Sequence, residues 1–518
     1  MTGTFALLRL VLRRDRVIMP IWIIGLTLAP VAYLSSIKAA YPDAAARQHY
    51  YDINVGSATF AVRNGPLYGS SLGELLAWQC GFVPVVVALI ALLTVVRHTR
   101  TEEEAGRREL TGATVVGRYA GLAAALLAAC GAVTAYGLLV ALGLSAQGLP
   151  IGGSLALGAE FCVTGWVFAG VGAIAAQLTW GAGGARGIAI GVLALAFLLR
   201  AAGDSGSGWM AWLSPIGWAH RVRPFAGEQW WIVVLSLGVN VLFGALAAVL
   251  STRRDLGAAL LPARLGRATA PASLRSPLGL AWRLQRGTLL MWTIGVALVG
   301  LIMGGVARNI GEMARDNKAI ADAVIRMGGG GAVMDAYLAS VMTLFGFAVS
   351  GYAIQATLKM RAEEAAGRAE PVLATAVGRI GWAACHLLFG LLGPAVVLAA
   401  AGLTTGLAHG GSTGLVPAAL AQLPAVWIVA ALAVALTGLL PRLTSGAWGI
   451  LGVFLLLSLV GTALQWNTAV LGISPFAHLA RMPGEPFSIG PFAWLALIAA
   501  GITAVGVTAL RRRDMPIG

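Results

Sequence analysis

Two charged segments of this sequence share one order of residues, and their side chains suit ion pairing and protein contacts. The first reads RTEEEAGRRE at 100–109 and the second reads RAEEAAGRAE at 361–370. Solvation alone does not require acids, glycine and arginine to keep their order, so the repetition indicates a surface that contacts another protein. The residues expected to form this surface are Arg100, Glu102, Glu103, Gly106, Arg107 and Glu109 in the first segment and Arg361, Glu363, Glu364, Gly367, Arg368 and Glu370 in the second.

Short-range spacing in the first segment predicts a capped helix. Thr101 and Glu104 have the spacing of a capping box at a helix N-terminus. Glu103 and Arg107 lie four residues apart with the acid first, which is the favourable order for an ion pair along one helix face. These pairs predict a continuous charged helix.

The glycine and proline residues modify that prediction. A glycine inside a helix costs about 1 kcal/mol relative to alanine, so the repeated Gly106 and Gly367 predict a bend or a close backbone contact. The second segment repeats the acid–arginine pair as Glu364 and Arg368 but has Pro371 where the first has a leucine. Proline cannot continue a helix interior. We therefore expect the second helix to end or restart there, and the first segment to be the stronger contact.

Motifs typical of nucleotide-binding proteins and of zinc proteases do not occur in the sequence. A nucleotide-binding Gly-Lys motif is missing from the sequence, and so is the HExxH pattern of zinc proteases. Two ionisable residues, Glu160 and His386, fall within or near apolar runs, where a charge is by default a sign of function. The alternative is that Glu160 reaches the outer interface and that neutral His386 is hydrogen-bonded between helices. We expect no catalytic site, no metal site and no bound cofactor.

Composition places most of the chain in a lipid bilayer. Of the 518 residues, 58% are hydrophobic and only 11% are charged, which is more apolar surface than a soluble domain can bury. Runs of about 20 apolar residues are long enough to cross a membrane. Twelve such runs are predicted, near 17–37, 75–96, 119–143, 154–178, 186–202, 230–250, 288–307, 337–358, 380–408, 415–439, 446–466 and 492–510.

The positive charges predict the orientation. The net charge is +15, and 25 of the 36 Lys and Arg residues fall in the segments that lie inside when both termini are cytoplasmic. Since basic residues favour the cytoplasmic side of bacterial membranes, both termini and both charged segments are predicted to be cytoplasmic. An excess of Lys and Arg over Asp and Glu that is confined to short loops does not indicate nucleic-acid binding.

The two halves of the chain are copies. From 100–118 to 361–379, twelve of nineteen positions are identical, and an Arg-Arg-Asp sequence at 253–255 recurs at 512–514. Six spans per copy give both copies the same orientation. The predicted domains are a first half at 1–258, a cytoplasmic linker at 259–280 and a second half at 281–518. The fold class is an all-α polytopic membrane protein of two parallel six-helix repeats.

Each repeat is expected to begin with an amphipathic helix in the inner membrane interface. Residues 3–16 place Phe5, Leu8 and Leu12 on one side and arginines on another, and 278–287 is the counterpart. Helices with such faces lie along membrane surfaces.

In these motifs the sequence resembles the type-2 ABC exporter permeases, in which an acid-rich stretch, a glycine and a glutamate follow the second span. In that family the stretch forms a coupling helix that sits in a cleft of the nucleotide-binding subunit. A fused twelve-span chain is most similar to actinobacterial permeases for polyketide antibiotics of the tetronasin type. The resemblance covers the whole chain as architecture, but its specific motifs cover only some forty residues.

The resemblance implies an exporter of hydrophobic or amphiphilic compounds in the bacterial cell membrane. ATP and Mg²⁺ would be bound by separate ATPase subunits, two copies per chain, and not by this chain. A secondary, proton-coupled transporter of the major facilitator type also has twelve spans in two parallel halves, and it stays open as an alternative. A membrane scaffold or sensor is a third reading, but it leaves the duplication unexplained.

Overall fold

In the computed structural model, the described part of the chain is helical and contains no β-strand. The helices group into two compact units, Met1–Gly266 and Arg267–Gly518. The boundary between them falls inside the linker predicted at 259–280. The structure describes residues 2–55, 61–62, 64–112, 114–205, 208–255, 258–261, 269–316, 330–410, 415–458 and 467–513.

The first unit contains twelve described α-helices. They are α1 (Thr4–Arg14), α2 (Ile18–Ala40), α3 (Ala44–Asn54), α4 (Leu72–Gln79), α5 (Val83–His98), α6 (Arg100–Glu104), α7 (Arg107–Gly112), α8 (Ala120–Ala146), α9 (Ile151–Leu178), α10 (Ala182–Ser205), α11 (Pro215–His220) and α12 (Trp230–Thr252).

The second unit contains nine described α-helices. They are α13 (Pro277–Asp316), α14 (Gly330–Ala365), α15 (Ala369–Leu373), α16 (Arg379–His409), α17 (Leu415–Leu420), α18 (Leu423–Leu439), α19 (Gly446–Leu456), α20 (Thr468–Leu471) and α21 (Ile489–Arg512).

The predicted all-α polytopic fold is confirmed. Among the described residues, eleven helical stretches are long and apolar enough to cross a membrane, with α5 and α6 counted as one stretch and α17 and α18 as another. They coincide with eleven of the twelve predicted spans. The remaining span, predicted at 446–466, is represented by α19, a shorter apolar helix. Its last residues, 459–466, lie outside the described part of the chain, as does much of the outer loop predicted at 308–336.

The second predicted span begins later than expected. The apolar run 75–96 is interrupted at 80–82, so that α4 ends at Gln79 and α5 begins at Val83. Pro84 explains the restart, because proline is favoured in the first turn of a helix and disfavoured in its interior. Ser71 and Glu74 start α4 with a complete capping box.

The two amphipathic segments differ in structure. In the first unit, α1 ends at Arg14 and is a separate helix, with Phe5 80% exposed. In the second unit, the counterpart 278–287 is continuous with the following span in α13, which corrects the expectation of a separate second helix. In the first unit, the backbone leaves the helical conformation at Asp15. The aligned residue of the second unit is Gln285, a better helix former.

Close helix crossings form the core of each unit. In the first unit, α9 contacts α5, α8 and α12. It approaches α8 so closely that a Cβ on Gly158 would lie 2.3 Å from the carbonyl oxygen of Gly137. In the second unit, α18 contacts α14 and α21, and a Cβ on Gly438 would lie 2.2 Å from the carbonyl oxygen of Gly506. Small residues allow such backbone contact between helices in membranes.

Candidate functional site

The first charged segment follows α5, the second begins within the last turns of α14, and both turn at their glycine. Gly106 has a φ of 69° and Gly367 a φ of 68°, a left-handed conformation that residues with a Cβ rarely adopt. Apart from the glycine and its two chain neighbours, no atom of the described residues lies within 4 Å of the place where a Cβ would stand on either glycine. The predicted bend is therefore confirmed, and the backbone conformation, not a close contact, requires the glycine.

One glutamate of the first segment is buried in a cluster of guanidinium groups. Arg254 Nη1 and Nη2 donate to the two carboxylate oxygens of Glu103 at 2.6 and 2.9 Å, and Arg100 Nη1 lies 3.0 Å from Oε2. The Glu103 side chain is only 3% exposed. Arg254 also donates from Nε to Gln177 at the end of α9. This bidentate pair ties the segment to the ends of α9 and α12.

The second unit repeats this arrangement with different helices. Arg513 Nη2 donates to both carboxylate oxygens of Glu364 at 2.7 and 2.8 Å, and Arg361 Nη1 lies 3.2 Å from Oε1. The Glu364 side chain is 2% exposed. Arg254 and Arg513 are the second arginines of the repeated Arg-Arg-Asp sequence, so that repeat now has a structural role.

A further repeated contact closes the other end of each segment. Arg118 donates to the carbonyl of Ser251 at 3.0 Å in the first unit. Arg379 donates to the carbonyl of Arg513 at 2.9 Å in the second. In both units, a glutamate within the segment and an arginine after it therefore contact residues at or just beyond the end of the unit's last described helix.

The predicted Glu–Arg pairs form one residue earlier than expected. Arg107 Nη1 lies 3.1 Å from Glu102 Oε1, not on Glu103. In the second unit, Arg368 donates to Glu363 from Nε and Nη2 at 2.8 and 3.0 Å. The four-residue spacing assumes one continuous helix, whereas the left-handed glycine turns the chain and shifts the register.

The predicted capping box is wrong, and its two residues hold another helix instead. Thr101 lies inside α6, and its hydroxyl accepts from Arg186 Nη2 at 3.1 Å. Glu104 Oε2 accepts from the backbone N–H of Ala182 at 3.0 Å, at the start of α10. A carboxylate at this position satisfies a free N–H group and complements the helix dipole.

The first unit connects its segment to more helices than the second does. Arg14 of α1 lies 2.6 Å from Glu102, and Glu104 reaches α10. The aligned positions in the second unit carry Leu284 and Ala365, which cannot make these ionic contacts. These two substitutions distinguish the segments structurally, and the expectation that the first is the stronger contact with a partner stays a prediction. Pro371 lies in the first turn of α15, where proline is tolerated.

Burial divides the predicted residues into two groups. The carboxylates of Glu103, Glu363 and Glu364 are buried, and so is Arg100. Outward-facing residues form what we call the outer surface of each segment: Glu104, Ala105, Arg107 and Glu109 in the first unit, and Ala365, Arg368, Glu370 and Pro371 in the second. Spacing alone did not separate the residues that hold the segment in place from those that a partner can touch.

Acidification is expected to loosen the first segment through Glu102. Partial burial opposes ionisation, but Arg14 and Arg107 outweigh it and hold the pKa of Glu102 below its usual range. A lowered folded-state pKa contributes stability above the unfolded value of about 4.3, and this stability is lost as the pH falls through the folded value. Hydrogen exchange of α6 and α7 should accelerate below about pH 4. A Glu102→Gln variant should lack this step, and an unchanged pH profile in that variant would contradict the assignment.

The two intramembrane candidates lie in different surroundings, and both are buried. Glu160 is 3% exposed, so it does not reach an outer surface, and its Oε1 lies 3.9 Å from His220 Nε2. A small cavity of about 20 Å³ borders this pair. His386 lies 3.5 Å from Gln285 Nε2 and against Trp382, as expected of a histidine hydrogen-bonded between helices.

Metal ligation has no support in the described part of the chain. No group of three or more His, Cys, Asp or Glu side chains that could hold a metal ion was found among those residues.

Two sets of membrane-spanning helices, each with a charged segment at one end, define a polytopic α-helical membrane protein. The family model for the C-terminal domain of the multidrug efflux system permease Rv1217c matches residues 274–511. The multidrug efflux system permease protein Rv1217c of Mycobacterium tuberculosis is 44% identical over 99% of this chain and 95% of its own length. The chain belongs to this family of multidrug efflux system permeases.

Proposed function

We propose that this chain is the permease subunit of an ATP-driven exporter that moves hydrophobic or amphiphilic compounds out of the cell. Its relative is named as the permease of a multidrug efflux system, and a permease of a system implies partner components. The proposed partners are separate ATPase subunits, two per chain, which bind ATP and Mg²⁺ and dock on the outer surfaces of the two charged segments. Both segments and both termini would face the cytoplasm.

The observation that carries this proposal is the shared construction of the two segments. Each has exposed charges at its turn and a buried glutamate bound by the arginine that follows its unit's last helix. A partner that pushes on the outer surface would act on a firmly held element, because two nitrogens of Arg254 bind Glu103 and one nitrogen of Arg513 reaches both carboxylate oxygens of Glu364. A segment on which a nucleotide-driven subunit docks needs two properties, an accessible face and a stiff connection to the membrane-spanning helices.

The first unit is proposed to transmit the larger part of the movement. Its segment contacts α1 through Arg14 and α10 through Glu104 in addition to α12. A displacement of this segment would therefore move more helices than a displacement of its counterpart.

Reversal of the exposed acids should disrupt docking without unfolding the permease. We expect Glu109→Arg combined with Glu370→Arg to lower ATP-dependent transport and assembly with the ATPase by about tenfold or more, because like charges placed across an interface cost several kcal/mol. Proteoliposomes containing the permease and its ATPase would report drug uptake and drug-stimulated ATP hydrolysis.

Asp52→Arg is the matched control. Asp52 is an exposed acid on α3, in the loop predicted to lie outside the cell, so the same charge change there should leave assembly intact. Transport that follows a proton gradient without any ATPase would instead support the secondary-transporter alternative. Full activity in the Glu109/Glu370 variant would refute the docking surfaces.

A further inference from the structure

A cavity of about 760 Å³ lies inside the first unit, beside the charged segment. Ligand-binding pockets in proteins span about 300–1,000 Å³, so this volume is large enough for a small molecule or for part of a lipid. One wall is apolar and comes from α1, through Leu7, Leu10 and Val11. The other lining residues, which we call the basic wall, come from Arg14 at the end of α1, from the charged segment and from the ends of α8 and α12.

The basic wall carries more positive than negative charge. Arg14 and Arg107 share the carboxylate of Glu102, and Arg118 is bonded to a backbone carbonyl. The charged side chains that line the cavity are Arg14, Arg107, Arg108, Arg118 and Arg254 on the positive side and Glu102 and Asp255 on the negative side. Among the described residues, five lining guanidinium groups face two lining carboxylates and the carboxylate of Glu103 bound to Arg254, so five positive charges against three negative ones leave an excess of two.

Arg108 shows the effect of this excess. Burial lowers the pKa of Arg108, the charge of Glu103 raises it, and the charges of Arg254 and Arg100 lower it. The charged form of this side chain is thus less stable than it would be in water. An anion bound in the cavity would restore the balance.

The cavity lies at the level where the apolar helices end. It is lined by α1 just before α2 begins at Ile18, by Gly121 and Ala124 in the first turns of α8, and by Ser251 in the last turn of α12. Exposed Phe5 and Leu12 place the other side of α1 against lipid. The site therefore borders the bilayer interface, where an amphiphile presents an anionic head beside apolar chains.

The second unit fills the corresponding space with its own side chains. The position aligned with Gly121 carries Trp382, and the one aligned with Arg108 carries Ala369. Trp382 and Ala369 are both buried and belong to one apolar cluster with Met360 and Leu510. The space is thus filled by apolar side chains in the second unit and is an open, basic cavity in the first. The cavity therefore depends on residues that are specific to the first unit.

We propose that this cavity binds the phosphate head of an anionic phospholipid from the surrounding bilayer, with the guanidinium groups on the phosphate and the start of the acyl chains along α1. The lipid would brace α1 against the charged segment. Arginine recognises phosphate by paired hydrogen bonds, and basic pockets between membrane helices bind anionic head groups. This inference does not depend on the proposed ATPase.

The test is lipid titration of the purified full-length chain in neutral detergent, followed by native mass spectrometry. The probes are phosphatidylglycerol, phosphatidylcholine with the same acyl chains, and inorganic phosphate. We expect phosphatidylglycerol to bind at least about tenfold more tightly than phosphatidylcholine, since several arginines at a membrane surface contribute about 1 kcal/mol each. Equal binding of the two lipids would overturn the proposal, and inorganic phosphate that displaces phosphatidylglycerol at equal concentration would show a soluble-anion site instead.

Two variants locate the binding. Gly121→Trp introduces the residue that the second unit uses, and its Cβ would lie 3.4 Å from Arg108 Nη2, an ordinary contact. It should lower phosphatidylglycerol affinity at least about tenfold by filling the cavity.

Arg118→Gln should lower the affinity about fivefold, whereas the matched control Arg379→Gln, which removes the equivalent contact in the second unit, should leave it unchanged. Wild-type affinity in Arg118→Gln, or equal losses in Arg118→Gln and Arg379→Gln, would place the lipid elsewhere and refute the site.

Discussion

Replacing Glu103 with alanine is expected to lower the free energy of unfolding by about 3–5 kcal/mol, the usual cost of breaking a buried ion pair by removing one partner. The carboxylate of Glu103 holds Arg254 and Arg100, which come from different parts of the chain. Without it, these buried guanidinium groups face each other with no acid between them. Equilibrium denaturation of the detergent-solubilised protein measures the loss.

Glu109→Ala is the matched control for this prediction. It removes the same charge from the same segment, but Glu109 is exposed, so its cost should stay within about 0.5 kcal/mol. Glu364→Ala should cost as much as Glu103→Ala, because Arg513 and Arg361 bind Glu364 in the same way. If all three variants unfolded at the same denaturant concentration, the buried clusters would have no role in stability.

Replacing Asp204 with leucine is expected to destabilise the first unit by a similar amount, about 3–5 kcal/mol. Arg200 is completely buried, and Asp204 Oδ2 lies 3.6 Å from its Nη1, one helical turn further along α10. Arg200 also donates to the backbone carbonyls of Ala61 and Val62 at 3.1 and 2.7 Å. The acid is therefore the charge partner of a guanidinium group that ties α10 to the helical residues Ala61 and Val62 before α4.

A double-mutant cycle separates charge from packing at this site. Adding Arg200→Met to Asp204→Leu removes the unpaired charge, so the double variant should be more stable than the sum of the single changes by about 1–3 kcal/mol. Thermal unfolding in detergent measures each term. Strictly additive losses would show that Arg200 and Asp204 do not interact.

These buried clusters define how the protein would respond to a partner. Under the proposed docking, an outer surface would transmit a push only if the segment behind it did not yield, and the buried glutamates would provide that resistance in both units. We therefore expect charge changes on the outer surface to affect assembly, and changes at Glu103 or Glu364 to affect folding first. A transport assay of Glu103 variants would confuse these two effects unless stability is measured beside it.

Most of the architecture could be predicted from the sequence. Apolar runs of membrane-spanning length located eleven helices, and the repeated residues at 100–118 and 361–379 located both charged segments. These features depend on local composition and on comparison of the chain with itself, which require no knowledge of packing. Some residues important to the site were missed. Arg254 and Arg513 appeared only as part of a repeated landmark, and that recurrence after each final helix was the available signal.

The sequence by itself determined the class of protein, the duplication and the existence of two matched charged segments, because hydrophobic length and residue order are local properties. Only the tertiary structure decided which glutamate of each adjacent pair binds the distant arginine that follows the unit's last described helix. Arg254 lies 151 residues from Glu103 along the chain, and nothing in the spacing selects it over Arg107. The left-handed turn at Gly106 changes the register, and the packing of the helix ends brings the distant arginine to the carboxylate. Ion pairs in this protein therefore form between charges that folding buries in the same place, and sequence spacing alone does not select them.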